Sequence, residues 1–253
     1  MVSVYKFAAQ DKLAEELGKY ILEKQTAALS SGSKFTLAIS GGSLIKVLYK
    51  ALVQDTALSS KIQWDKWHVY FVDERIVPLE HADSNYGAFK KEVLDKLDSN
   101  ALSQLHVYPI NEASVLDESK SNEDIAREYE AILPRNLDLL LLGCGPDGHT
   151  CSLFPDENHR YLLAEQERRV MWCHDSPKPP SDRITITLPV IKESGAIAFV
   201  AEGSSKQDIM HEIFDVKDTK LPTALINSLY GDKVCWFVND EAFEKVEGRT
   251  MLV

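Results

Sequence analysis

Asp138-Leu139-Leu140-Leu141-Leu142-Gly143-Cys144-Gly145-Pro146-Asp147-Gly148-His149-Thr150 joins an apolar run to a glycine-rich loop. Asp138–Leu142 is short and almost wholly apolar, as a strand buried on both faces of a parallel sheet should be. Strand-like and helix-like patterns alternate on either side of it. Upstream, Val2–Phe7, Phe35–Ser40, His68–Val72 and the shorter His106–Ile110 read as strands. Asp11–Leu29 sets Leu13, Leu17, Ile21 and Ala28 on one helical face, and Ile45, Leu48, Tyr49 and Leu52 recur at helical spacing after Gly41-Gly42-Ser43. Ser84 predicts an N-cap for a helix bearing Tyr86, Phe89 and Val93, and Ser121-x-x-Asp124 predicts a capping box before Ile125–Leu133. Asn111–Ser121 reads as a polar surface loop. Downstream, Val170–Cys173, Ile184–Leu188, Ala196–Ala201 and Val234–Val238 add strands, and Gln207–Phe214 adds a helix. Lys178-Pro179-Pro180 reads as a loop entering the Arg183 strand. The alternation predicts an α/β fold with a mostly parallel sheet covered by helices on both faces, in one domain over residues 1–253.

The composition narrows the partners. With 44% hydrophobic and 26% charged residues the chain has ordinary globular character. Its N-terminus lacks the basic-then-apolar pattern of a signal peptide, and no apolar run approaches the roughly 20 residues that span a bilayer. Cys144, Cys151, Cys173 and Cys235 form no C-x-x-C pair and read as reduced thiols, so a cytoplasmic location is expected. A net charge of −11 argues against nucleic-acid binding, which needs a basic surface. An anionic small molecule remains open to it, because two or three locally placed cations suffice.

Ligands of open parallel sheets bind beyond the carboxyl ends of the strands. Four segments leave a strand and turn unusual there: Ser40–Ser43, Asp73-Glu74-Arg75, Gly143–His149 and Gly203-Ser204-Ser205-Lys206. The first and last present unobstructed backbone N–H groups at a helix start, which suits a phosphate, with Lys206 adding a point charge; each also reads as a plain helix cap. Gly143–Gly148 matches G-x-G-x-x-G, with Asp175 as an acid for a ribose. The helix that a dinucleotide site requires would have to run through Thr150–Phe154 and stop before Pro155. Alternatively the glycines expose backbone donors while His149 projects into the crevice as an acid–base group, oriented by Asp147. Arg75 and Arg183 stand at strand ends, where surface positions are equally open to them. No zinc-spaced Cys/His cluster and no G-x-S-x-G elbow is present.

At these same residues the sequence resembles the 6-phosphogluconolactonase family, within the glucosamine/galactosamine-6-phosphate isomerase-like superfamily. Leu142–Pro155 is similar to its long signature nearly throughout. Ser40–Ser43 and Asp73-Glu74-Arg75-x-Val77-Pro78 match two earlier motifs, and the likeness continues through Arg183-Ile184-Thr185 and Gly203–Lys206. Two departures are Cys151, where alanine is usual, and Ile45, where proline is frequent. The resemblance implies a modified Rossmann-like three-layer sandwich and hydrolysis of 6-phospho-D-glucono-1,5-lactone, the second step of the oxidative pentose phosphate pathway, with no metal or nucleotide. It implies His149 as general base and acid, supported by Asp147, with Arg75 or the backbone N–H groups of Gly143, Gly145 and Gly148 at the oxyanion. Ser40, Gly41, Gly42, Ser43, Arg183 and Lys206 would hold the phosphate, and Asp73 and Arg75 would line the sugar end. A monomer or weak homodimer without nucleic-acid or membrane partners is expected.

The nearest rival is glucosamine-6-phosphate deaminase, which shares the D-G-H core. That family usually continues Ile-Ala-Phe-Asn-Glu-Pro and has Asp-Glu-Tyr at the earlier motif, unlike Thr150–Pro155 and Asp73-Glu74-Arg75 here. A non-catalytic sugar-phosphate-binding paralogue is the third reading.

Overall fold

A computed structural model describes residues 2–248 together with Met251 and Leu252. The strands are β1 (Ser3–Phe7), β2 (Phe35–Ile39), β3 (Trp67–Phe71), β4 (Asp73–Arg75), β5 (His106–Val107), β6 (Leu139–Gly143), β7 (Val170–Cys173), β8 (Arg183–Ile186), β9 (Ala196–Ala201), β10 (Val234–Asn239) and β11 (Met251–Leu252). Eight of them form one sheet in the order β11-β1-β10-β9-β6-β2-β3-β5. Every pairing within it is parallel.

The leucine run explains why β6 sits mid-sheet. Leu139 and Leu141 pack into one apolar layer and Leu140 and Leu142 into the other, all four fully buried. A strand with no polar face is stable only where both faces are covered, and burying each leucine is worth about 2 kcal/mol. Helix Gln10–Ser31 covers one face with Leu13, Leu17 and Ile21, beside Leu44, Val47 and Leu48 of helix Ser43–Tyr49. Ile125, Ala126 and Tyr129 of helix Asn122–Ile132 cover the other, with Met210 and Ile226. Three layers result. Among the described residues no helix is long and apolar enough to cross a membrane.

Both predicted caps are present. Ser84 Oγ accepts from Gly87 N–H at 2.9 Å, and Ser121 and Asp124 form the reciprocal box.

The structure corrects the sequence reading in one respect that matters for the site. β4, β8 and β7 form a separate antiparallel sheet. Val72 joins the two sheets: its N–H donates to Ile39 O at 3.0 Å, and its carbonyl accepts from Ile186 N–H at 2.8 Å. The connection 174–182 is too short for the crossover of a dozen or more residues that parallel neighbours require, so β7 and β8 must run antiparallel. Smaller differences follow local chemistry. Helix Pro222–Tyr230, with proline in its first turn, was not expected, and Glu112–Val115 forms a helical turn inside the anticipated surface loop.

Candidate active site

A cleft of about 210 Å³ opens where β2, β6 and β9 end, against the small antiparallel sheet. The four segments singled out in the sequence meet there. Ser40, Gly41, Gly42, Ser43, Asp73, Arg75, Gly143, Gly145, His149, Arg183 and Lys206 line it, together with Leu44, Asn85, Cys144, Thr150, Cys151 and Val200. Asp147 and Gly148 stand behind the wall.

One wall is cationic. Arg75 and Arg183 face each other directly across the β4–β8 pair. Like charges in that position repel, an arrangement that makes sense around an anion. Arg183 is 2% exposed. Its Nη2 donates to Lys178 O at 2.8 Å and its Nε to Pro180 O at 3.1 Å, and it lies 5.7 Å from the Phe154 ring. Burial, and then repulsion from Arg75, lower its pKa. Arg75 donates through Nη1 to Asp83 O at 2.7 Å, but its buried Nε has no protein partner. Lys206 reaches in from beyond β9, anchored on Cys144 O at 2.6 Å. Among the described residues, Asp73 is the one carboxylate lining the cleft against these three cations, in a chain of net charge −11.

Asp73 is held rigidly. Ser152 Oγ donates to its Oδ2 at 2.8 Å, and Asn85 Nδ2 donates to its carbonyl at 2.9 Å. Beside it, Glu74 is fully buried and accepts from the backbone N–H groups of Arg75, Asn85 and Tyr86 at 2.7–2.8 Å. A carboxylate at the start of helix Asn85–Glu92 satisfies donors that would otherwise be orphaned. Gly41 is glycine for a steric reason, since a Cβ there would run into the Asn85 amide. Gly42, at φ +70°, starts helix Ser43–Tyr49 with no side-chain cap, so the open helix start forms part of the wall. That removes Ser43 as its cap.

The Gly143–His149 loop, whose Cys144 carbonyl anchors Lys206, curls on itself. Gly145 N–H donates to His149 O at 2.8 Å, and Gly148 N–H to Gly145 O at 3.0 Å. Gly148 has φ +78°, and its carbonyl accepts from Thr223 Oγ1 at 3.0 Å. The chain then turns back at Cys151 (φ 52°), pairing Thr150 with Leu153. No helix follows Gly148, so the geometry a dinucleotide fingerprint needs is absent.

His149 packs against Phe154 with ring centroids 4.8 Å apart. Its Nδ1 is hydrogen-bonded to Asp147 Oδ1. Lys178 Nζ lies 3.2 Å from that oxygen and 3.1 Å from Nδ1. An ionised carboxylate only accepts, so the Nδ1 proton points at Asp147 and Nε2 is left as the basic nitrogen. Burial pushes the Asp147 carboxyl up, but the hydrogen bond and charge of His149, with Lys178, outweigh it and hold the group well below the usual range.

Asn85, Thr150 and Lys178 escaped the sequence reading. Asn85 directly follows the recognised cap Ser84, but only tertiary packing turns it toward Asp73. Thr150 Oγ1 is buried without a hydrogen-bond partner. Cys144 and Cys151 are neutral thiols, the first pushed up to about 12 by burial and the second also raised.

Comparison with known proteins agrees with the motifs. Residues 8–236 match the family model described as glucosamine-6-phosphate isomerases/6-phosphogluconolactonase. 6-Phosphogluconolactonase 3 of Saccharomyces cerevisiae is 62% identical over 250 residues, covering 99% of this chain and 100% of that protein. The solved structure of 6-phosphogluconolactonase from Trypanosoma cruzi superposes with a TM-score of 0.79 at 24% identity, covering 98% of each chain. A monomeric glucosamine-6-phosphate deaminase gives a TM-score of 0.73 at 14% identity, covering 96% of this chain and 100% of that one. These two structural likenesses establish the fold alone.

Proposed function

The chain belongs to the family of glucosamine-6-phosphate isomerases and 6-phosphogluconolactonases, and on that premise we propose that it hydrolyses 6-phospho-D-glucono-1,5-lactone to 6-phospho-D-gluconate, the second step of the oxidative pentose phosphate pathway. The observation that carries this reading is His149, pinned at Nδ1 by Asp147, in a cleft that Arg75, Arg183 and Lys206 also line. A phosphorylated, neutral-ring substrate matches that division: an anion for the cations and an ester carbonyl for the base.

In the proposed mechanism His149 Nε2 takes a proton from water as its oxygen attacks the lactone carbonyl. The resulting oxyanion is met by Arg75, whose Nε has no protein partner, and not by the N–H groups of Gly143, Gly145 and Gly148 expected from the sequence, which already donate to Ser40 Oγ, His149 O and Gly145 O. Collapse breaks the bond to the ring oxygen, which recovers the proton from the imidazolium. Asp147 keeps the ring in the tautomer that presents Nε2 and stabilises the imidazolium while it exists. Arg183, Lys206 and the Ser40–Ser43 segment take the phosphate, and Asp73 fixes the sugar hydroxyls. No step requires a metal or nucleotide, and the whole chain serves as one sugar-phosphate hydrolase domain.

The lactonase is preferred to the deaminase on the 62% identity to the yeast protein named for that activity and on Arg75, where deaminases carry tyrosine. The test is hydrolysis of freshly generated lactone, with the spontaneous rate subtracted and His149→Ala measured alongside. Rapid turnover abolished in the variant is expected. A wild type without turnover defeats the substrate assignment, and an active variant defeats the base.

A further inference from the structure

Lys178 does not line the cleft, yet its ammonium is 3.2 Å from Asp147 Oδ1 and 3.1 Å from His149 Nδ1. An ammonium has donors only, and the Nδ1 proton is committed to Asp147. Lys178 therefore donates to the carboxylate and presses an unshared positive charge against the edge of the imidazole.

Its backbone is fixed there. The Lys178 carbonyl accepts from Arg183 Nη2 at 2.8 Å and from Ser176 Oγ at 3.0 Å, and Ser176 N–H donates to Ser181 O at 3.1 Å, closing the loop. The buried arginine of β8 thus sets where the lysine begins.

The charged groups around His149 come from four places. Asp147 lies on its own loop and Lys178 on the loop after β7; Asp73, Arg75 and Arg183 stand on the small sheet, and Lys206 beyond β9. The thiols of Cys144 and Cys151, both pushed up by burial, stay neutral. Among the described residues, the charged groups that touch the Nδ1 edge are Asp147 and Lys178. A carboxylate against an imidazole favours the protonated ring, and only the neutral ring can activate water. With its charge shared by a lysine, the same carboxylate can orient the ring without keeping it protonated.

We propose that Lys178 is a positioning residue of the hydrolase that, by sharing Asp147, keeps His149 unprotonated and able to accept a proton from water near neutral pH. The proposal rests on the reading of His149 as the base.

Lys178→Met, Lys178→Gln and Lys178→Arg are compared with the wild type in two measurements. The first is an NMR titration of the His149 imidazole without substrate, its signal assigned by its loss in His149→Ala. The second is the pH dependence of kcat/KM. One unit charge about 3 Å away is worth about one pH unit at the dielectric constant of bulk water, the screening expected where the Lys178 ammonium stays in contact with solvent. The His149 midpoint and the acid limb of kcat/KM should both rise by about that amount in Lys178→Met and Lys178→Gln. KM on the pH plateau should be unchanged, and Lys178→Arg should restore both. A midpoint that stays put in the two neutral variants overturns the proposal, as does a raised KM with the acid limb unmoved, which would make Lys178 a substrate contact. The titration needs no turnover, so an inactive wild type would remove the lactonase reading while the midpoint still decides on Lys178.

Discussion

Replacing Gly145 by alanine adds one methyl group at the point where the loop wraps around its own histidine. The new Cβ would fall well inside contact distance of His149 Nδ1 and Cε1, and 2.6 Å from Asp147 Oδ1. To reach even the 3.0 Å that real Cβ atoms observe, the ring must retreat by about 1 Å. It has little room, since Phe154 packs against it with centroids 4.8 Å apart and Asp147 with Lys178 holds the Nδ1 edge. A catalytic group misplaced by about 1 Å costs on the order of 100-fold in rate. Gly145 does not take a positive φ, so no backbone strain accompanies the change and the fold should survive it. Steady-state lactonase assays should therefore show kcat down about 100-fold with KM within a factor of about three, because the cationic wall is untouched. A thermal melt run in parallel should show a small shift only. A kcat within threefold of wild type would refute the reasoning, since it would mean that the ring moves freely or that its position is immaterial.

Three further outcomes are expected. Burial pushes Glu74 up to about 7 against the pull of its hydrogen bonds from Tyr86, Asn85 and Arg75. The folded state then binds this proton more tightly than the unfolded chain, so the stability tied to it is complete below about pH 4.5 and is lost as pH rises to about 7; melting wild type and Glu74→Gln at several pH values should show the wild type losing ground over that window, and a constant gap would count against it. Lys206→Met removes one of the cations proposed to take the phosphate and should raise the inhibition constant of inorganic phosphate at least tenfold, with equal inhibition of both proteins as the contrary result. Gly148→Ala meets both a φ of +78° and Leu221 and Ile209 side-chain atoms at 3.0–3.2 Å, which predicts a loss of about 1–3 kcal/mol and a midpoint lower by several degrees in a thermal melt; an unchanged midpoint would show that the loop relaxes.

The leucine run of β6, the alternation around it and the glycine-rich segments that leave β2, β6 and β9 were legible from residues alone. Their signals are local: an unbroken apolar strand demands cover on both faces, and glycines after a strand mark where backbone approaches a ligand. Chain order with parallel pairing then carries those strand ends to one edge, so most of the cleft's residues could be named before any coordinate. The small sheet was legible only in part. β7 and β8 were visible as strands, whereas β4 was read as the turn that leaves β3, and the direction of β7 and β8 depends on the length of the connection 174–182, a constraint that periodicity does not express.

Asn85, Thr150 and Lys178 lie beyond that reach, because even where a motif stands next to them, as His149 beside Thr150 and the cap Ser84 beside Asn85, nothing local gives the side chain itself a partner. Asn85 matters because Gly41 leaves space for its amide beside Asp73. Lys178 matters because Arg183 anchors its loop over Asp147 and His149. Sequence by itself determined the fold class and the family, and it named the groups proposed to do the chemistry, since these follow from short-range pattern. Tertiary structure alone decided which charges meet around His149, because electrostatic coupling depends on distances of a few ångström between residues about thirty positions or more apart in the chain.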